Sequence, residues 1–197
     1  MGRLALLWVL LAFLSGSFPF AVWLGRLWTG KDVRTIGDGN PGGTNAWKLG
    51  GWRLGAIVLV LDFLKAALPV AVAGQVWQWN GGWLVAVAVA PVLGHAFSPF
   101  LRGRGGKGLA AAFGVWAGLT LAEGPLVMGL AMALSLKLRL RDGWAVVAGL
   151  LILLVYGLAR GWSPDVLLVW RILFAWLVWA YRGDLARFPV RRETSNG

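Results

Sequence analysis

Long apolar segments alternate with short polar loops along the whole chain. Seven apolar segments can be marked, at residues 4–27, 54–74, 83–101, 109–121, 125–136, 144–158 and 166–181. A helix needs about 20 residues to cross a hydrocarbon core of about 30 Å, and the first three segments meet that length. The fourth and fifth segments are shorter. The pattern predicts an all-α integral membrane protein without β-strands.

The composition agrees with a membrane protein. Of the 197 residues, 58% are hydrophobic and 14% are charged, and the mean hydropathy is +0.70. A soluble domain has about 25% charged residues. The absence of cysteine excludes disulfides and zinc–thiolate sites, and a single histidine excludes a histidine-rich metal site. We therefore expect no metal and no cofactor.

The positive residues predict the number and direction of the crossings. The net charge is +11, but the lysines and arginines lie in loops between apolar segments, so we expect no nucleic-acid partner. Such loops mark the cytoplasmic side of a membrane. With the N-terminus outside, seven crossings turn 15 of the 19 positive residues inward, whereas merging the short fourth and fifth segments into one crossing would place Lys137, Arg139 and Arg141 outside.

The charge pattern therefore favours a seven-transmembrane-helix bundle with the N-terminus outside and the C-terminus cytoplasmic. We expect one transmembrane domain over residues 1–185, followed by a flexible cytoplasmic tail over residues 186–197. The first segment is too long for a signal peptide, and no small-x-small cleavage site follows it before Arg26. Because it contains Ser15, Ser17 and Pro19, we interpret it as a retained helix with a bend.

The first polar loop, residues 32–51, contains six glycines and the run Asn40-Pro41-Gly42-Gly43-Thr44-Asn45. If a helix starts near Thr44, its free N–H groups and the positive end of its dipole face the same anion as Lys48, one turn later. Asparagine, proline and glycine are also ordinary turn formers, so a plain surface turn is the alternative. We interpret the loop as a phosphate site.

The second polar loop, residues 94–108, contains the only histidine, His95, and ends in Gly105-Gly106-Lys107-Gly108. A glycine-rich backbone lets N–H groups converge on an anion, and a lysine supplies the countercharge. The nucleotide-binding pattern GxxxxGK[ST] fails, because Gly108 stands in place of Ser or Thr. The loop is interpreted as a backbone nest for a small phosphate, with a basic turn touching lipid headgroups as the alternative.

Asp62 and Lys65 lie three residues apart on one face of an apolar segment. Burying either charge alone in hydrocarbon costs several kcal/mol, so we predict that they pair with each other or inside the bundle. His95 is either a helix-packing partner or a catalytic group, and Ser98 lies beside it in the sequence.

The order of these motifs resembles a known family. Ser-x-Pro, DVR…G-x-GN-x-G-x-TN, D-x-x-K and GH-x-F…GGKG follow one another between residues 17 and 114. This order is similar to that of the bacterial acyl-phosphate:glycerol-3-phosphate acyltransferases, which are polytopic enzymes of the cytoplasmic (inner) membrane. The resemblance implies transfer of a fatty acyl group from acyl phosphate to the sn-1 hydroxyl of glycerol 3-phosphate. The products would be lysophosphatidate and inorganic phosphate. The reaction would be the first step of phospholipid synthesis, with membrane lipids around the enzyme.

The resemblance also implies roles for the residues of both loops. The expected catalytic residues are His95, Lys107 and Lys48. The expected phosphate-binding residues are Asn40, Gly42, Gly43, Thr44, Asn45, Gly105, Gly106 and Gly108. The expected supporting residues are Arg34, Asp62, Lys65 and Ser98.

Several positions depart from the family pattern. Asp38 replaces a serine, Lys48 an arginine, Ala111 a threonine and Tyr181 a histidine, and the third motif is unrecognisable around Asp142. These departures leave an alternative open: a divergent paralogue that binds or carries anionic lipids or small phosphates, or acylates another phosphorylated acceptor. The sequence does not indicate the oligomeric state.

Overall fold

The computed structural model describes residues 2–187 and residue 189, and the regular elements within them are helical. The helices are α1 (Gly2–Ser17), α2 (Phe20–Thr29), α3 (Gly43–Ala71), α4 (Gly81–Ala96), α5 (Leu109–Thr120), α6 (Glu123–Lys137), α7 (Asp142–Ala159), α8 (Pro164–Ala180) and α9 (Arg182–Leu185). The all-α prediction is confirmed.

The first apolar segment is broken into two helices. α1 ends at Ser17 and α2 begins at Phe20, after Phe18 and Pro19. A proline has no N–H to donate and clashes with the preceding turn, so the α1 helix does not continue through Pro19. The bend predicted for this segment is confirmed, and it leaves carbonyl groups free at the end of α1.

The third helix begins inside the first polar loop. It starts at Gly43, next to the predicted start at Thr44, and Gly42 is its N-cap. The helix is kinked at Gly50 and Gly51, where Gly51 has a φ of 81° that favours glycine. A π-helical turn, Val72–Val76, follows α3.

The residues up to Leu121 form one compact unit. In this unit α1 packs against α4, and α3 packs against α5. A Cβ on Gly16 would overlap the backbone of Pro91, and one on Gly94 would overlap the Phe13 carbonyl oxygen. Small residues at such contacts let helix backbones approach closely in a membrane.

The residues from Ala122 onwards form a second compact unit. Here α6 packs against α7, where Gly149 contacts Met128. The Trp170 indole on α8 donates a hydrogen bond of 2.9 Å to the Leu150 carbonyl on α7.

Four helical stretches are long and apolar enough to cross a membrane, judged by length and composition among residues 2–187 and 189. They are Gly2–Thr29, Gly43–Val76, Gly81–Leu101 and Asp142–Ala159. α5 has 12 residues and α6 has 15, and at 1.5 Å per residue they are only about 18 and 22 Å long. Seven crossings, the direction of the termini and the single domain over 1–185 therefore stay predictions. The predicted tail lies outside the described residues except for Ala186, Arg187 and Pro189.

Candidate functional site

The two glycine-rich loops meet in the first unit. The Lys107 N–H donates a hydrogen bond of 2.9 Å to Asn40 Oδ1, and the Lys107 ammonium lies 2.8 Å from Asp38 Oδ2. The Asn45 amide donates to the other oxygen of the same carboxylate, at 2.8 Å. Asn45 and Lys107 come from different loops and converge on one anionic group.

The Asp38 carboxylate is held by cationic and polar donors. Besides Lys107 and Asn45, the Asn40 N–H donates to it at 3.2 Å. Partial burial alone would raise the pKa of Asp38, but these three hydrogen bonds outweigh it and lower the pKa to about 2. The carboxylate is therefore ionised at neutral pH, and it occupies donors of the kind that a phosphate requires.

The start of α3 adds further donors beside this carboxylate. The first helical hydrogen bond runs from the Ala46 N–H to the Gly42 carbonyl, at 3.0 Å. The N–H groups of Gly43, Thr44 and Asn45 precede that bond, so they are the free donors of the helix N-terminus. Gly42 offers no side chain to cap them. A helix end of this kind favours an anion.

Lys48 lies on the same side of the first loop. Gly37, with a φ of 61°, packs against both the Asn45 side chain and the Lys48 ammonium, so a Cβ there would collide with them. The Lys48 side chain is exposed. We define the phosphate cradle as Asp38, Asn40, Asn45, Lys48 and Lys107 with the first turn of α3.

The second loop contributes a cation to the cradle, but its N–H groups are already engaged. Gly105 N–H donates to the Ala96 carbonyl at 2.9 Å, Gly106 N–H donates to the His95 carbonyl at 3.2 Å, and Lys107 N–H binds Asn40. The sequence predicted a nest of free N–H groups at these positions. In the structure the two glycines instead allow the loop to lie directly against the end of α4, where a Cβ would overlap His95. The role of Gly108 stays a prediction.

Asp62, Lys65 and His95 form a buried cluster at the break between α1 and α2. The Lys65 ammonium lies 2.6 Å from Asp62 Oδ1 and 2.9 Å from His95 Nδ1, and donates to the Phe18 carbonyl at 2.9 Å. The predicted Asp62–Lys65 pair is confirmed. The ion pair with Asp62 compensates the buried charge of the ammonium, and the Phe18 carbonyl and His95 Nδ1 provide its hydrogen-bond contacts.

This cluster fixes the histidine ring. Because Lys65 donates to Nδ1, the neutral tautomer assigned to His95 carries its proton on Nε2. Nε2 lies against Gly106, which also packs on Asn40 Oδ1. His95 therefore offers an N–H donor next to the cradle, and its other nitrogen is held by Lys65.

Two serines attach the same region to α1. Ser98 Oγ donates to the Ser17 carbonyl at 2.6 Å, and Ser15 Oγ donates to the Lys65 carbonyl at 2.7 Å. Ser98, which the sequence predicted as a supporting residue, therefore links the second loop to the end of α1, and Ser15 links α1 to α3.

Arg34 lies on the first loop but contacts Asp32. Its guanidinium donates to both carboxylate oxygens of Asp32, at 3.0 and 2.7 Å, and Arg26 donates to Oδ2 at 2.7 Å. The hydrogen bond from Arg34 is the main cause that holds the pKa of Asp32 well below its usual range, and the carboxylate in turn raises the pKa of Arg34. This pair stabilises the loop beside the cradle.

Sequence reasoning identified the two loops but missed two connections. Asp38 was noted only as a replacement for serine, yet it joins Asn45 to Lys107. The contact between Lys65 and His95 crosses 30 residues of sequence. The carboxylate of Asp38 within a basic glycine-rich loop was a signal for its contacts with Asn45 and Lys107. No signal in the sequence indicated the contact between Lys65 and His95.

Comparisons with known proteins point to one family. The family model described as glycerol-3-phosphate acyltransferase matches residues 6–189. Glycerol-3-phosphate acyltransferase 1 of Thermotoga maritima is 34% identical over 194 residues, which cover 91% of this chain and 95% of that protein. The Myxococcus xanthus glycerol-3-phosphate acyltransferase is 37% identical over 185 residues, covering 94% and 96%.

Solved structures agree with this likeness. The crystal structure of PlsY (YgiH), an integral membrane glycerol 3-phosphate acyltransferase, in its glycerol 3-phosphate form superimposes with a TM-score of 0.87 at 28% identity. The match covers 93% of this chain and 90% of that one. The lysophosphatidic acid form of PlsY gives a TM-score of 0.85 at 27% identity.

Proposed function

The chain belongs to the glycerol-3-phosphate acyltransferase family, and we propose that it acylates glycerol 3-phosphate with acyl phosphate as the donor. The products are lysophosphatidate and inorganic phosphate. The observation that carries the proposal is the meeting of the two loops, where Asn45 and Lys107 donate to one carboxylate. A phosphate group is larger and more negative than a carboxylate and accepts from the same donors.

Acceptor binding displaces the Asp38 carboxylate from the cradle. Lys107, Lys48 and the Asn45 amide then face the phosphate of glycerol 3-phosphate, and the first N–H groups of α3 add the helix dipole. Lys48 is exposed and supplies a point charge rather than the planar fork of an arginine. The phosphate is held while its glycerol hydroxyl remains free to react.

The reaction needs no covalent enzyme intermediate, because acyl phosphate is already a mixed anhydride. The sn-1 hydroxyl oxygen attacks the acyl carbon, a C–O bond forms, and the bond from that carbon to the phosphate oxygen breaks. The bonding electron pair leaves with the phosphate, which also accepts the hydroxyl proton. The protein contributes alignment of the two substrates and stabilisation of the developing negative charge.

His95 acts in this scheme as a hydrogen-bond donor. Its Nε2–H faces the second loop beside Asn40, while Lys65 occupies Nδ1. A donor there orients a phosphate or the acyl oxygen. With Lys65 bound to Nδ1, His95 is suited to positioning a substrate rather than to removing the hydroxyl proton.

The apolar helices and the likeness to an integral membrane enzyme place the chain in a membrane. We propose the bacterial inner membrane, with seven crossings, an outside N-terminus and a cytoplasmic C-terminus in one domain over residues 1–185. The charge distribution supports this arrangement, because both loops of the cradle then face the cytoplasm, where glycerol 3-phosphate is dissolved.

The proposal predicts that Lys107→Met strongly lowers turnover. The purified protein is given palmitoyl phosphate and glycerol 3-phosphate, and lysophosphatidate is measured. Loss of the ammonium removes a charged donor from both the bound phosphate and the developing charge, so we expect a fall in kcat/KM of about 100-fold or more.

Lys137→Met is the matched control, since Lys137 is an exposed lysine at the end of α6. We expect it to keep wild-type turnover. Equal activity of Lys107→Met and Lys137→Met would show that the cradle does not take part in the reaction. Wild-type protein that binds both ligands but forms no lysophosphatidate would favour a carrier of anionic lipids or phosphates.

A further inference from the structure

A second basic cavity lies beside α2 and the second loop. Its volume is about 440 Å³, within the usual range for ligand sites. Its lining includes Trp23, Arg26, Arg34, Phe100, Arg102 and Arg104. We call it the arginine cavity. None of the five cradle side chains lines it.

The arginine cavity carries an excess of positive charge. Arg26 and Arg34 share one carboxylate, Asp32, which accepts from both. Within residues 2–187 and 189, Arg102 and Arg104 take part in no ion pair. Four guanidinium groups therefore face one compensating carboxylate. Guanidinium groups bind phosphate in a planar, two-pronged geometry.

The backbone at Arg102 supports a role for its side chain. Arg102 has a φ of 54°, in the left-handed region that glycine adopts without cost. The next residue, Gly103, also lies in this region, with a φ of 75°. An arginine at the first position is thus held at a conformational cost, in a turn closed by the Gly103 N–H bond to the Ser98 carbonyl at 2.9 Å. Nothing in the turn itself requires that side chain.

The other wall of the cavity is aromatic. The rings of Trp23 and Phe100 meet edge to face at 5.7 Å, and Phe18 lies 5.8 Å from Trp23 and 5.6 Å from Phe100. Phe100 is half exposed and Trp23 is 43% exposed. Tryptophan is enriched where a membrane meets water, and all three rings offer apolar surface to an acyl chain.

We propose that the arginine cavity binds the phosphate headgroup of a membrane amphiphile, with the phosphate on the arginines and the first part of its chain on the aromatic wall. Arginines alone would favour any anion. The adjoining rings select an anion that carries an apolar chain. The ligand class is a phosphate attached to one or two acyl chains, and the inference does not depend on the turnover proposed above.

Binding of dodecyl phosphate to the purified protein tests the inference. Arg102→Gly removes the guanidinium and suits the left-handed backbone, so the turn is preserved. We expect it to weaken dodecyl phosphate binding about tenfold or more, as for loss of one charge-assisted contact. Arg139→Gly, which removes an arginine at a φ of 64° in the second unit, is the matched control and is expected to leave binding unchanged.

Arg104→Gln provides an independent variant with the same expected loss. Binding that is unchanged in both Arg102→Gly and Arg104→Gln overturns the inference. So does inorganic phosphate binding as tightly as dodecyl phosphate, because the aromatic wall then contributes nothing.

Two further experiments identify the source of the ligand and distinguish binding in the arginine cavity from the proposed turnover at the cradle. The protein is placed in nanodiscs of phosphatidylglycerol or of phosphatidylcholine, and dodecyl phosphate binding is measured in each. Weaker binding in phosphatidylglycerol identifies a bilayer phospholipid as the ligand. Equal binding in both identifies a single-chain phosphate. Lys107→Met should still bind dodecyl phosphate in an Arg102-dependent manner. That result supports the arginine cavity even if wild-type turnover fails to appear.

Discussion

At the scale of single residues, we expect Asp38 to determine the affinity of the cradle for phosphate. Its carboxylate bonds to Lys107 and Asn45, two of the groups that we propose for the phosphate. The substrate must therefore displace an internal anion. Because the pKa of Asp38 is about 2, lowered from 3.8, the contact is complete above pH 4 and is lost only as the pH falls through 2. Mild acid does not relieve the competition.

Asp38→Ser is expected to lower the KM for glycerol 3-phosphate about tenfold, with a smaller change in kcat, because one charge-assisted competitor is removed. Steady-state kinetics with palmitoyl phosphate held constant measure the change. Glu123→Gln, which removes an exposed acid outside the cradle, should have no such effect. An unchanged or higher KM in Asp38→Ser would mean that Asp38 supports phosphate binding instead of opposing it.

The structure brings together the two loops that the sequence singled out, but the sequence did not predict how their groups are hydrogen-bonded. Glycine density and the order of Asn45, Lys48 and Lys107 indicated an anion site, and the structure brings these loops together. The N–H groups of Gly105 and Gly106 were expected to be free, but they bond to the end of α4. Which acceptor an N–H group finds depends on packing between distant segments, which spacing along the chain does not encode.

At the scale of helices, close contact between α1 and α4 positions His95. Gly94 precedes the histidine and lies against the Phe13 carbonyl, with no space for a Cβ. The same contact brings Ser17 to Ser98. A side chain at this position would push α4 away from α1 and move the histidine ring relative to Lys65.

Gly94→Ala is therefore expected to destabilise the protein by about 1–3 kcal/mol, the usual cost of overpacking. The thermal unfolding midpoint in detergent measures the loss. Gly82→Ala is the control in the same helix, because a Cβ there meets no atom within 4 Å. If both variants unfold at the same temperature, close α1–α4 packing does not limit stability.

Helix positions were largely predictable, because apolar runs and glycine-proline loops have strong signals. The start of α3 was expected near Thr44 and is at Gly43, while the kink at Gly50 and Gly51 was not predicted. Two adjacent glycines in a basic loop are equally compatible with a turn or with a bent helix. Only the packing of Gly50 against Leu54 and Thr29 distinguishes the two.

At the scale of the whole molecule, the absence of cysteine makes the seven-crossing proposal easy to test. Single cysteines at Lys31, Arg104 and Arg139 should be protected from a membrane-impermeant maleimide in intact cells, whereas one at Arg160 should react. Lysed cells, in which all four sites become accessible, are the control. Labelling of Arg139→Cys in intact cells would contradict seven crossings, because α5 and α6 would then together make one crossing instead of two.

The proline break in the first apolar segment affects contacts beyond the local bend. It frees the Ser17 and Phe18 carbonyls, and these accept hydrogen bonds from Ser98 and from Lys65. Lys65 in turn determines which nitrogen of the imidazole is protonated. In an uninterrupted first helix, both carbonyls would accept hydrogen bonds from N–H groups of the helix itself and could not bind Ser98 and Lys65. The protonation of His95 on α4 therefore depends on Pro19, 76 positions earlier in the sequence.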